Sequence, residues 1–159
     1  MRDTATRLAA IAVAVFVFDQ ASKWLVVEVL GLIHRLRIDV WPGVVTFVMA
    51  WNRGINFGVL ASDAPGQAMV LAALAAAISV AVAVWAMRRD EAWFTVGAGL
   101  LVGGALGNAV DRLRYGAVAD FLNVTCCGIV NPYAFNVADI AIFAGALTLA
   151  LAPSPRPAD

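Results

Sequence analysis

Between Gly66 and Met87 the chain runs almost wholly apolar, with Gln67 and Ser79 as the only polar side chains. About 20 such residues, rising 1.5 Å each as a helix, cross the hydrocarbon core of a bilayer. Water is absent there, so each backbone N–H and C=O needs a partner within the protein, and a helix supplies it inside one segment. Three further stretches are also long enough: Ala5 to about Glu28, with Asp19, Gln20, Ser22 and Lys23 toward its far end, the glycine-rich Ala92 to Val110, and Phe135 to Ala152, which opens with Asn136 and Asp139. The 159 residues are 62% hydrophobic and 14% charged, where a soluble domain runs near about 45–50% and about 25%. The expectation is an all-α integral membrane protein: one domain over 1–159, with spans at about 5–28, 66–87, 92–110 and 135–152. A net charge of zero gives no electrostatic footprint for nucleic acid.

Arg2 and Arg7 before the apolar run Leu8–Phe18 resemble the start of a secretory leader. Asp19 and Gln20 stand where a small-residue cleavage site is needed, so residues 5–28 read as a retained first span. Between spans one and two the texture changes. Arg37–Asn52 is rich in Val, Ile, Phe, Trp and Thr around the turn signal Pro42-Gly43. A small sheet is expected at about 36–60, lying at the membrane surface, with Trp24, Trp41 and Trp51 at headgroup depth. Leu113–Tyr133 reads as an irregular connection, with Asn131-Pro132 bounding the last helix. The tail Pro153–Asp159 reads as a loose terminus. Within span three, Gly99/Gly103 and Gly103/Gly107 are small-xxx-small pairs that admit a close helix neighbour. Cys126 and Cys127 are adjacent and read as apolar loop fillers, and His34 as a surface or interfacial side chain; no zinc-type ligand spacing occurs.

Helix parity sorts the polar residues. With four alternating spans, Asp19, Lys23, Asn52, Asn108, Asp111, Asp120, Asn136 and Asp139 all fall at one end of the bundle. Ionisable groups at membrane depth cost about 2.5–3.5 kcal/mol each on insertion scales and are functional candidates by default. The basic residues favour neither orientation by count: Arg2, Arg7, Arg88, Arg89 and Arg156 lie at the other end, and Lys23, Arg35, Arg37, Arg53, Arg112 and Arg114 at the polar end. The compact Arg88-Arg89 turn points to termini inside and the polar end outside.

Asp120 and Asp139 are the candidate chemical pair. Two carboxylates meeting in a low-dielectric site share one proton. Such a pair can take a proton from water while giving one to a carbonyl oxygen, which peptide hydrolysis requires. Ion pairing of each with Arg112 or Arg114, or helix capping, is the structural alternative. Asn136 and Asp139 are three apart and read as sharing one helix face, as do Asn108 and Asp111. These amides can orient a carboxylate or simply bond one helix to another. Asp111 is expected to pair with an arginine. Asp19 and Lys23 read as an i,i+4 ion pair, and Gly54, Gly58 and Gly116 as turn glycines.

Five stretches, in order, carry a resemblance over essentially the whole chain: DQASKWLV at Asp19–Val26, NRGINFG at Asn52–Gly58, GGALGNAVDR at Gly103–Arg112, VADF at Val118–Phe121 and FNVAD at Phe135–Asp139. The chain resembles the lipoprotein signal peptidases (signal peptidase II), bacterial membrane aspartic peptidases. The resemblance implies four transmembrane helices and a small extracytoplasmic β-sheet between helices one and two. It places the catalytic aspartates at Asp120 and Asp139. The family's other motif positions fall on Asp19, Lys23, Asn52, Gly54, Phe57, Gly104, Gly107, Asn108, Asp111, Arg112 and Asn136; Ile55 and Asn56 depart from the small residues usual there. The activity implied is removal of signal peptides from diacylglyceryl-modified prolipoproteins, just before the lipidated cysteine, with no cofactor and no metal. The setting implied is the bacterial inner membrane, with termini cytoplasmic, the site at the outer leaflet, and lipids as neighbours. Two rival readings are weaker. A metal-dependent phosphatidyl transferase is faintly echoed by Asp111-Arg112, Gly116 and Asp120, but that pattern needs a further Asp where Val124 stands. A small proton-coupled transporter would more often show repeats or broken helices, and neither is found.

Overall fold

The computed structural model describes residues 2–54, 64–89, 91–125 and 131–153. The expectations for Phe57, Ile55, Asn56, Gly58, Cys126 and Cys127 lie outside the described residues. Among the described residues, five α-helices and three strands follow one another: α1 Arg2–Lys23, a π-helical stretch Trp24–Val29, α2 Leu32–Arg35, β1 Arg37–Trp41, β2 Val45–Asn52, α3 Gln67–Met87, α4 Ala92–Tyr115, β3 Val118–Val124 and α5 Val137–Ala150. Three helical stretches among the described residues are long and apolar enough to cross a membrane: Asp3–Val29, Gln67–Met87 and Ala92–Tyr115. The shorter α5 is apolar too. Val13, Val17 and Phe18 on α1, Met69, Val70 and Val80 on α3, and Phe143 and Leu147 on α5 are exposed. Apolar area on that scale suits hydrocarbon rather than water.

α4 is the central helix, packed by α1, α3 and α5. Its glycines explain how α1 and α5 crowd it. Gly99 and Gly103 face α1, where an added Cβ at Gly103 would lie 2.5 Å from the Ala12 carbonyl oxygen. Gly97 and Gly104 face α5, where a Cβ at Gly104 would lie 2.5 Å from the Ala138 carbonyl oxygen. α5 returns the fit with Gly145, set against the Gly97 carbonyl. The small-xxx-small pair Gly99/Gly103 thus admits α1, while Gly97 and Gly104 admit α5 on another face of the same helix.

The sheet is antiparallel in the order β1-β2-β3. Its third strand, β3, lies in the stretch expected to be irregular. Gly116, at φ +74°, ends α4 and turns the chain into β3. β3 pairs with β2 with Ala50 opposite Asp120 and Asn52 opposite Val118. One extra residue on β2 between Phe47 and Ala50 forms a bulge beside Asp120. Phe135 bridges Leu122, with Phe121 and Leu122 both donating N–H to the Phe135 carbonyl. That bridge brings the start of α5 alongside β3. Val26, Leu32 and Phe121 form the core beneath the sheet, where Phe47 meets Phe121 edge to face at 5.7 Å. A second core, Leu8, Ala86, Phe94 and Ala98, closes the opposite end of the bundle.

Candidate active site

A cleft of about 930 Å³ opens between the sheet and α5, with Asp120 and Asp139 both on its wall. Trp51, Tyr133 and Phe135 line it near the sheet, and Ile140, Phe143 and Leu147 continue it along α5. Asp120 projects from β3 and is 4% exposed. Burial is the main force raising its pKa, the negative charge of Asp139 the next; Asn52, Lys23 and Asn136 oppose them, and the result is about 7. Asp139 sits in the first turn of α5.

Two asparagine amides hold this pair. Asn136 is not on the helix face with Asp139, as its spacing had suggested. It is the N-cap of α5, with extended backbone (φ −133°, ψ −179°). Its Oδ1 accepts the Asp139 N–H at 2.9 Å, and the Asp139 carboxylate accepts the Asn136 N–H at 3.2 Å, a reciprocal capping box. The freed Nδ2 of Asn136 donates to Asp120 at 2.6 Å and to Asn108 Oδ1 at 3.2 Å. Asn108, on α4, donates its own Nδ2 to Asp139 at 2.9 Å. Asn136 thus serves Asp120, which also bonds the Asn52 side chain, Asn108 serves Asp139, and the Asn108 and Asn136 amides bond to each other.

Behind the amides lies a buried charge cluster. Lys23 reaches Asp19 at 2.8 Å and Asp111 at 2.7 Å, all three side chains nearly inaccessible. Asp111 also accepts the Ala119 N–H of β3 at 3.2 Å. The expected pairing of Asp111 with an arginine is replaced by this lysine, because α1 and α4 approach closely enough for Lys23 to lie between two carboxylates. Asp19 accepts the Ala138 N–H at 2.9 Å and so caps α5 from another helix. Gly107 makes room for it: a Cβ there would sit 2.6 Å from Asp19 Oδ2. Gln20 bonds Asp19, Asp111 and the Gly107 carbonyl. Sequence reasoning left Gln20 out of the site; its position beside Asp19 in an otherwise apolar helix was the available signal. Buried ions are costly unless fully satisfied, and here each has several partners.

A second wall runs along the end of β2. Asn52 Oδ1 accepts the Gly54 N–H at 3.0 Å, and Arg112 donates to the Gly54 carbonyl at 2.6 Å and to the Asn108 carbonyl at 3.2 Å. Arg112 thereby ties the loop after β2 to α4. Of the described residues singled out by sequence, Asp19, Lys23, Asn52, Gly54, Asn108, Asp111, Arg112, Asn136, Asp120 and Asp139 all gather at this end of the bundle.

Comparison with known proteins points one way. Residues 11–153 match the family described as signal peptidase (SPase) II. The chain is 43% identical to the lipoprotein signal peptidase of Nitrobacter hamburgensis, over 87% of this chain and 85% of that protein. It is 40% identical to that of Methylorubrum extorquens, over 96% and 91%, and 38% identical to that of Pseudomonas syringae pv. tomato, over 89% and 82%. Among solved structures it superposes on a bacterial membrane enzyme determined by the in meso method at 2.3 Å resolution, with TM-score 0.72 and 27% identity over 89% of this chain and 84% of that one.

Proposed function

This chain belongs to the signal peptidase II family, membrane aspartic peptidases that cleave signal peptides from lipoproteins, and from that premise we propose that Asp120 and Asp139 are its catalytic pair. The observation that carries this reading is their meeting on one cleft wall, each held by an asparagine amide, with Asp120 near neutrality. Asp139, at the N-terminus of α5 and receiving two N–H donors, acts as the carboxylate that takes a proton from water. The water oxygen bonds to the scissile carbonyl carbon. Asp120 gives its proton to the carbonyl oxygen, and a neutral gem-diol forms. Asp139 then passes its proton to the amide nitrogen, the C–N bond breaks, and a gem-diol hydroxyl returns a proton to Asp120. Asn108 and Asn136 orient the pair, while Asn52, Gly54 and Arg112 shape the substrate wall.

The substrate in this reading is a diacylglyceryl-modified prolipoprotein, cut just before the lipidated cysteine. The apolar continuation of the cleft along α5 supports entry from the bilayer. α5 serves as a fourth span, the termini lie in the cytoplasm, and the sheet and site lie at the outer leaflet of the bacterial inner membrane. Purified full-length protein given a synthetic diacylglyceryl-modified peptide in EDTA should cut it before the modified cysteine and leave the unlipidated peptide essentially intact. Equal rates on both peptides would remove the lipid from the account. Loss of cleavage in EDTA, restored by a divalent ion, would assign the chemistry to a metal.

A further inference from the structure

We propose that Lys23 is a positioning residue that sets which end of the Asn108 amide faces the catalytic pair. The inference rests on the reading of Asp120 and Asp139 given above. An asparagine side chain has a donor end and an acceptor end of nearly equal shape, so its surroundings must choose between two orientations. Asn136 is fixed by its own helix, since its Oδ1 accepts the Asp139 N–H. Asn108 lies inside α4 and has no helix end to fix it. Its Oδ1 receives two donors, the Lys23 ammonium and the Asn136 NH2, each at 3.2 Å, and its Nδ2 then donates to Asp139 at 2.9 Å. Turned over, the amide would set its NH2 against the ammonium and against another NH2, and its oxygen against a carboxylate. Three favourable contacts would become three unfavourable ones.

Lys23 can impose this because it is itself held firmly. Its side chain is 6% exposed and lies between Asp19 at 2.8 Å and Asp111 at 2.7 Å. An ammonium offers donors only, so whatever faces it must be an acceptor. The base that takes a proton from water must begin as a carboxylate, and an N–H aimed at it favours that form. Lys23 thus acts on the reaction through Asn108. Among the described residues, the charged and titratable groups around the pair are Asp19 and Lys23 from α1, Asp111 and Arg112 from α4, and Arg53 and Tyr133 on the cleft wall.

Lys23→Met alone would leave two buried carboxylates uncompensated, so the test pairs it with Asp19→Asn. One positive and one negative charge are removed, and the new amide oxygen can still accept the Ala138 N–H. Full-length protein is assayed with the diacylglyceryl-modified peptide across pH. The expected result is a fall in kcat of about tenfold or more, the low end of what a positioned acid or base contributes, with KM little changed. The acid limb of kcat/KM should move up by about half a pH unit or more, as the Asn108 amide loses the ammonium that helps fix it and donates less firmly to Asp139. A folded double variant with wild-type kcat and an unmoved acid limb overturns the proposal. Should that variant fail to fold, Asn108→Leu decides, since it keeps Lys23 between both carboxylates. Its acid limb should rise in the same way, and an unmoved limb rejects the role of the amide. Asp139→Asn run in parallel separates the two failures. Turnover retained there defeats the catalytic pair itself, whereas a dead Asp139→Asn beside an unaffected double variant defeats only the role of Lys23.

Discussion

At the scale of single residues, the reading stands on two carboxylates, and each can be replaced by a near-isosteric amide. Asp120→Asn and Asp139→Asn should each reduce single-turnover cleavage by more than about a hundredfold, within the 10²–10⁴-fold range of a general acid or base. The double variant should be no worse than either single one, because residues acting as a unit are not additive. Folded yield should survive in all three. Asp111→Asn is the contrast: it weakens the hold on Lys23 and on the Ala119 N–H, so it should lower yield and Tm more than turnover per folded molecule. A folded but dead Asp111→Asn would place Asp111 in the pair. The titration of Asp120 gives a further expectation, with a definite sign. Its pKa is raised from 3.8 to about 7, chiefly by burial and then by Asp139. Between those values the folded state binds more protons than the unfolded one, so this group's contribution to stability is fully present below 3.8 and is lost as pH rises through about 7. Asp120→Asn should flatten that part of the Tm–pH curve. Wild-type kcat/KM should also fall above about pH 7, as the acid loses its proton. A wild-type Tm that rises steadily from pH 4 to pH 7, with no difference from Asp120→Asn, would contradict the assignment.

At the scale of elements, α4 determines the geometry. Its glycines allow α1 and α5 to approach on two faces, and those approaches bring Asp19 to the start of α5. Gly103→Ala would push a methyl against the Ala12 carbonyl oxygen, and Gly104→Ala against that of Ala138. In both cases the obstacle is helix backbone, which cannot rotate away as a side chain can. Each change should cost about 1–3 kcal/mol, as overpacked cores do, measured as lost thermal stability in detergent. Gly104→Ala should also reduce turnover, since it pushes directly on the turn that carries Asp139. Unchanged stability in both variants would mean that the helices are less closely packed than described.

At the scale of the whole molecule, one end of the bundle carries the charge cluster, the carboxylate pair and the sheet. The other end carries the α3–α4 turn, where Arg89 stacks on Trp85 and Phe94. The proposed orientation puts the first end outside the cytoplasm. Single-cysteine reporters, with Cys126 and Cys127 replaced by serine, can read this directly. Pro42→Cys at the β1–β2 turn should react with a membrane-impermeant thiol reagent added to intact spheroplasts, and Arg89→Cys only after lysis. The reverse pattern would place the active site in the cytoplasm and end the outer-leaflet reading.

Much of this was legible in residue order. Apolar runs such as Gly66–Met87 compel helices, because a membrane offers the backbone no other partner. Parity then gathers the polar residues at one end whatever the packing, so Asp120 and Asp139 could be paired from sequence. β3 was not legible: VADF shows no alternation, because its residues are buried on both faces, and a strand covered on both sides loses the period that marks one. The cap at Asn136 was also hidden, since three-residue spacing looks the same for a shared helix face as for a capping box. Tertiary structure alone could decide that Lys23 would lie between Asp19 and Asp111, that Gln20 would join them, and that Asp19 would cap a helix 119 residues away. Periodicity records which face of a segment avoids water. Which donor meets which acceptor is settled only when α1, α4 and α5 close on one another, within a few ångströms that glycines without side chains make available.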